Sequence, residues 1–111
     1  MDYKHLIVYI TTPDMQSGEQ IAGSLIEKKL AACVNLAPVR SIYKWHGELN
    51  REDEVLLIVK TRAELFELQL VPAVKKLHPY ELPEIIALPV VMGSTSYLSW
   101  IDEELGSGKE G

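Results

Sequence analysis

Apolar and polar positions follow two different rhythms along this chain, and the switches between them mark out its elements. Residues 3–11 include Tyr3, Leu6, Ile7, Val8, Tyr9 and Ile10, a β-branched and aromatic run that predicts a buried central strand. Thr12-Pro13-Asp14 reads as a helix start. Threonine can cap, proline suits a first turn, and Asp14 and Glu19 favour the positive end of the helix dipole. Ile21, Ala22, Leu25, Ile26 and Leu30 then recur at helical spacing, which predicts a helix over residues 14–29 that Gly18 and Gly23 weaken locally.

From Ala31 the rhythm changes. Cys33, Val34 and Leu36 open a second strand, expected to break or bulge at Ala37-Pro38 because proline cannot donate to a ladder. It resumes through Val39 to Trp45. A turn follows, at Gly47 or in the polar Asn50-Arg51-Glu52-Asp53 stretch, and Val55 to Val59 form a third strand. Arg62 to Leu77 carries Phe66, Leu70, Ala73, Val74 and Leu77 on one helical stripe. Pro72 inside it predicts a kink or a late restart. His78-Pro79 ends that helix, Glu84 to Met92 reads as a fourth strand, and Thr95 to Leu105 as a short C-terminal helix. Residues 106–111 read as a loose tail. Without repeats or linkers, 1–111 forms one domain. The βαββαβ order predicts an α+β, ferredoxin-like sandwich: a four-stranded antiparallel sheet with two helices on one face.

The second and third strands make a hairpin from Ala31 to Thr61, with arms longer than a typical strand of about 5–6 residues. The first and fourth strands are too short to cover it. Its far end, carrying Tyr43 and Trp45, would be a long exposed edge, which proteins pair or cover. A hairpin folded back on its own domain is one solution. Self-association is the other.

Charge narrows the partners. The net charge of −5 comes with no Lys/Arg cluster that would displace counterions from phosphates, so nucleic acid is not an expected partner. The single cysteine, Cys33, excludes an internal disulfide and fits a reducing compartment. The apolar run Leu6 to Ile10 is too short for a signal peptide or a membrane span. Cytoplasm is the expected location.

Several short motifs then follow one another in a fixed order. They are Thr12-x-Asp14, Leu30-Ala31-Ala32-Cys33, Tyr43-x-Trp45-x-Gly47, Lys60-Thr61, His78-Pro79-Tyr80-Glu81-x-Pro83-Glu84 and Tyr97-Leu98-x-Trp100. Together they resemble the CutA divalent-cation-tolerance family from residue 5 to 105, the His78 to Glu84 segment being the most specific piece. The resemblance implies a ferredoxin-like protomer, a tight homotrimer with strand pairing between subunits, and architectural kinship to the trimeric PII signalling proteins. It also implies a role in tolerance to divalent metals such as copper. Copper-binding members are associated with a cysteine just before the Thr-x-Pro of the first strand and a His-His pair before Pro-Tyr. Here those places hold Ile10 and Leu77-His78. Cys33 and His78 remain as metal ligands, and two per chain do not close a four-ligand site. A subunit boundary is where a metal would then be held.

Each candidate residue has two readings. Cys33 is a soft thiolate ligand for Cu(I) or zinc, or a small buried hydrophobe in its Ala-Ala-Cys-Val strand. His78 is a cap at a helix C-terminus, or part of a site with Tyr80, Glu81 and Glu84. Lys60, closing an apolar strand, needs an acid or the surface. It pairs with Glu81 or Glu84, or joins Tyr80 and Glu84 in an intersubunit cleft for a small anion or a metal complex. Tyr43, Trp45 and Trp100 are interface and core anchors, and His5 and His46 are solvated strand residues. No Ser/His/Asp or Cys/His catalytic order, glycine-rich phosphate loop or His-Glu-x-x-His motif occurs. The expectation is a non-enzymatic, trimeric metal-response protein binding copper or another divalent cation. The alternatives are a PII-like small-ligand signalling or scaffold module and, last, an enzyme in the same cleft.

Overall fold

Strand alternation builds the core before any helix is placed. A computed structural model describes residues 3–106. In it β1 (His5–Thr12), β2 (Cys33–Trp45), β3 (Glu48–Arg62) and β4 (Ile85–Pro89) form one antiparallel sheet in the order β2-β3-β1-β4. Val8 pairs with Val59 and Ile10 with Leu57. All four side chains are fully buried on the face that receives the first two helices, α1 (Met15–Glu27) and α2 (Val71–Leu77). α1 adds Ile21 and Leu25 to this core, and α2 adds Val74. A third helix, α3 (Thr95–Leu105), crosses the sheet where β1 starts and β3 ends. This is the ferredoxin-like α+β sandwich that the element order predicts.

Local chemistry adjusts several boundaries. The cap of α1 is Asp14, whose carboxylate accepts from the Ser17 N–H at 2.8 Å, so Pro13 lies before the helix and not inside its first turn. Gly18 is required by packing. A Cβ there would meet Leu36, Leu57 and Thr12, each at 3.1 Å. β2 runs unbroken through Pro38, in register with Val55. An edge strand tolerates proline because one side of its ladder has no partner.

The hairpin turns at His46-Gly47, where both residues have positive φ (53° and 81°), as a two-residue type I′ connection requires. His46 is therefore a turn residue and not a strand one, and Asn50 to Asp53 belong to β3. Ahead of α2 the chain makes a 3₁₀ turn (Ala63–Leu65) and a π turn (Phe66–Leu70). The π turn bonds the Val71 N–H back to the Phe66 carbonyl, and α2 restarts with Pro72 in its first turn, where the missing N–H costs nothing. β4 ends at Pro89, earlier than the apolar run suggests. Val91 and Met92 beyond it are exposed. Gly106 closes α3 with φ 75°; residues 107–111 of the expected tail lie outside the described residues.

β1 reaches only to Val55 on β3. The hairpin beyond it, residues 39–54, projects about 23 Å as two strands with no third neighbour among the described residues. That arm carries Tyr43 and Trp45, both exposed.

Candidate functional site

The face of the sheet turned away from α1 and α2 holds every candidate residue that lies on a strand. Alternation puts Ile7, Tyr9 and Thr11 of β1 there. Glu54, Leu56, Ile58 and Lys60 of β3, and Cys33, Asn35 and Ala37 of β2, fall on the same side. Ile86 and Leu88 of β4 oppose Tyr9 and Ile7. The middle of this face is apolar and open, with Ile86 52 % exposed and Leu88 41 %.

At the hairpin end, the loop after α2 folds over the sheet. His78 anchors it. The Tyr80 N–H donates to His78 Nδ1 at 3.0 Å, which leaves Nε2 to donate to the Thr11 carbonyl at 2.8 Å. With the ring so held, Tyr80 reaches across to β3, and its hydroxyl donates to Glu54 Oε2 at 2.7 Å. Burial first, then the Glu54 carboxylate, push the Tyr80 hydroxyl well above its ordinary pKa. Tyr43 donates to Glu52 at 2.9 Å, and that bond raises its pKa too. The Thr11 hydroxyl approaches Glu84 at 3.5 Å. Between the loop and the hairpin lies an open cleft of about 700 Å³, lined by Tyr43, Trp45, Glu54, Tyr80, Glu81 and Glu84 among others.

At the opposite end, α3 closes the face with a charge network. Asp102 lies 2.9 Å from His5 Nε2, 3.2 Å from Lys4 Nζ and 3.3 Å from Arg62. Arg62, 4 % exposed, also donates to the Gly106 carbonyl at 2.8 Å. Partial burial alone would raise the Asp102 pKa, but its hydrogen bonds to His5, Lys4 and Arg62 outweigh that and hold it below the usual carboxylate range. His5 is thus a buried partner of α3 and not a solvated strand residue. Beside this network Lys60 bonds to Asn35 and approaches the Cys33 sulfur at 4.0 Å. Burial, then the neighbouring Cys33, raise the Tyr97 hydroxyl. Trp100 lies against Tyr97 with ring centroids 5.6 Å apart.

The candidates expected from sequence therefore separate into two groups. Tyr80, Glu81 and Glu84 meet Tyr43 and Trp45 at the hairpin end. Cys33, Lys60 and Trp100 sit at the α3 end. Lys60 does not pair with Glu81 or Glu84 in the chain. Cys33 pairs with Lys60, while Thr11, which holds His78, pairs with Leu56. The two levels are four residues, or about 13 Å, apart along β3. Both His78 nitrogens are engaged, and among the described residues no three His, Cys, Asp or Glu side chains gather as a metal site would need. Glu54 was missed because the polar stretch just before it looks like a turn. Its alternation with Leu56 and Ile58 was the available signal.

The whole of this architecture recurs in known proteins. The model of the CutA1 divalent ion tolerance protein matches residues 6–104. The chain belongs to that family. It is 46% identical to the divalent-cation tolerance protein CutA of Thermus thermophilus, over 90% of this chain and 97% of that one. It is 44% identical to the chloroplastic protein CutA of Arabidopsis thaliana over 86% of this chain, and spans about half (53%) of that relative's length. Among solved structures, the periplasmic divalent cation tolerance protein CutA of Archaeoglobus fulgidus superposes with a TM-score of 0.89. That match has 43% identity and covers 92% of this chain and 99% of that one.

Proposed function

We propose that the chain works in divalent-cation tolerance as a cytoplasmic, non-enzymatic homotrimer that responds to copper or another divalent metal. The observation that carries this reading is the family match, which runs through the sheet, the projecting hairpin and the loop after α2 without interruption. The open apolar middle of the sheet and the unpaired arm favour assembly, because both leave surface that a second copy would cover.

Cys33 and His78 of one chain do not fit a metal together, for the reasons of distance and engaged ring nitrogens given above. A metal bound through Cys33 would take its remaining ligands from a neighbouring copy. Light scattering combined with calorimetric titration of copper and zinc tests both halves. A particle about three times the 12.5 kDa chain mass and saturable uptake weakened by Cys33→Ala are expected. A 12.5 kDa particle would sink the trimer, and titration indistinguishable from buffer would sink direct binding.

A second reading, a PII-like module that senses a small ligand, is favoured by the cleft at the hairpin end. A ligand that binds only the native state raises the melting temperature. A thermal-shift screen of metals, amines, nucleotides and organic anions therefore separates the two readings. Shifts with metals alone would leave only the first.

A further inference from the structure

We infer that Lys60 of one copy enters the cleft of the next and forms an ion pair with Glu54, so that the site around Tyr80 is completed across the subunit boundary. The inference rests on the homotrimer proposed above and names a contact that holds it together. Glu54 is 8 % exposed and lines the cleft beside the loop after α2. The one hydrogen bond that the described residues give its carboxylate comes from the neutral Tyr80 hydroxyl. No Lys, Arg or His among them forms an ion pair with it, although five such contacts are made elsewhere in the fold. Carboxylates withdrawn from water are ordinarily paired, because an uncompensated buried ion has lost its hydration. A neighbour that covers the arm withdraws Glu54 further. The neighbour therefore has to bring the charge.

Strand alternation leaves one base to bring it. The cations on the strands of the open sheet face are His5, Lys60 and Arg62. His5 and Arg62 are held by Asp102. Lys60 bonds only to the neutral Asn35 side chain and approaches the Cys33 sulfur at 4.0 Å. An ammonium carries three donors, so the bond to Asn35 leaves two for a carboxylate. Arg40, Lys44 and Arg51 of the arm fall on the opposite face of the ribbon. Within one chain Glu54 and Lys60 are six residues apart on β3, about 20 Å, which their side chains cannot bridge. A closed ring of three joins unlike patches. The acidic hairpin end of one copy can meet the α3 end of the next, and each copy gives Lys60 to one neighbour and Glu54 to the other. The apolar strip between the two ends, with Ile86 52 % and Leu88 41 % exposed, is covered by the same contact. No basic side chain of the chain's own lines the cleft, and its other acids are Glu81 and Glu84. An incoming ammonium meets only opposite charge.

Light scattering of the full chain through a denaturant series tests the pair, with circular dichroism to follow folding. Glu54→Lys and Lys60→Glu each set like charge against like at every boundary. Each should raise the trimer's dissociation constant roughly tenfold or more. The variant carrying both changes on one chain should return it to within a few-fold of wild type. Given the distance within a chain, that rescue has to pass between copies. Where a reversal does not fold, Glu54→Gln and Lys60→Met replace it. Each should loosen the trimer several-fold, and the two together no further than the worse one alone, as coupled sites do. Additive effects in the double variant, or single reversals that dissociate as wild type does, would overturn the pair and leave the homotrimer standing. A wild-type particle of 12.5 kDa, the mass of one chain, would overturn the homotrimer and the pair with it.

Discussion

The two ends of the open sheet face handle buried charge in opposite ways. At the α3 end, Asp102 draws His5, Lys4 and Arg62 from β3 and the start of β1, and the helix is tied down by the balance. At the hairpin end, Glu54 is nearly as buried as Arg62 yet meets, among the described residues, only a tyrosine hydroxyl. One end is balanced in charge as folded, although Arg62 Nε is buried without a hydrogen-bond partner among the described residues. The other is satisfied in hydrogen bonding and, among the described residues, unbalanced in charge.

Three substitutions would break or sharpen that contrast. Asp102→Asn should be the most damaging, because it removes the nearer of two carboxylates from the buried Arg62 guanidinium, leaving Glu64 at 3.6 Å, and takes the ion-pair partner from His5 and Lys4. A loss of about 3 kcal/mol in denaturant unfolding is expected. The same variant checks a pH effect. The folded-state pKa of Asp102 is depressed, so its contribution is full above the unfolded value of about 4 and fades as pH falls through the folded one. Wild-type stability should drop on that acid limb, and the drop should flatten in Asp102→Asn. An unchanged acid limb would mean that the α3 network is not the acid-sensitive element.

Tyr80→Phe should cost less, about 1 kcal/mol, because it removes the one hydrogen bond that the described residues give the buried Glu54 carboxylate. Chemical denaturation would show it, and a loss above that of Asp102→Asn would invert the comparison. Glu54→Gln should change stability least, by about 0.5 kcal/mol, since it keeps an acceptor for Tyr80 and for Lys60 of a neighbouring copy. A loss as large as that of Asp102→Asn would show that the hairpin end depends on charge as heavily as the α3 end.

The asymmetry bears on how much the sequence discloses. β1, α1, α2 and α3 are visible as periodic apolar stripes, and the apolar half of β3 as a continuous run. The outer half of β3 is not, because Asn50 to Asp53 have turn chemistry and are held extended only by pairing with Arg40 to Tyr43. Tyr80, Glu81 and Glu84 stand out because they are close in sequence. Their partners Glu54 and Thr11 do not, being 26 and 73 residues away along their respective contacts. Charge alone places Lys60 beside Glu81 or Glu84. Strand register puts it beside Asn35 instead.

By itself, then, the sequence determined the order of the four strands and the main helices and the apolar stripe of each helix, but not the outer half of β3. Those are set by spacings of two to four residues, over which side-chain direction is dictated by the local backbone. Only the tertiary structure decided which charges are answered and which are not. His5 finds Asp102 across 97 residues, while Glu54 finds no base at all among those described. Electrostatic pairing depends on distances of a few ångströms between remote elements, and no local periodicity encodes them.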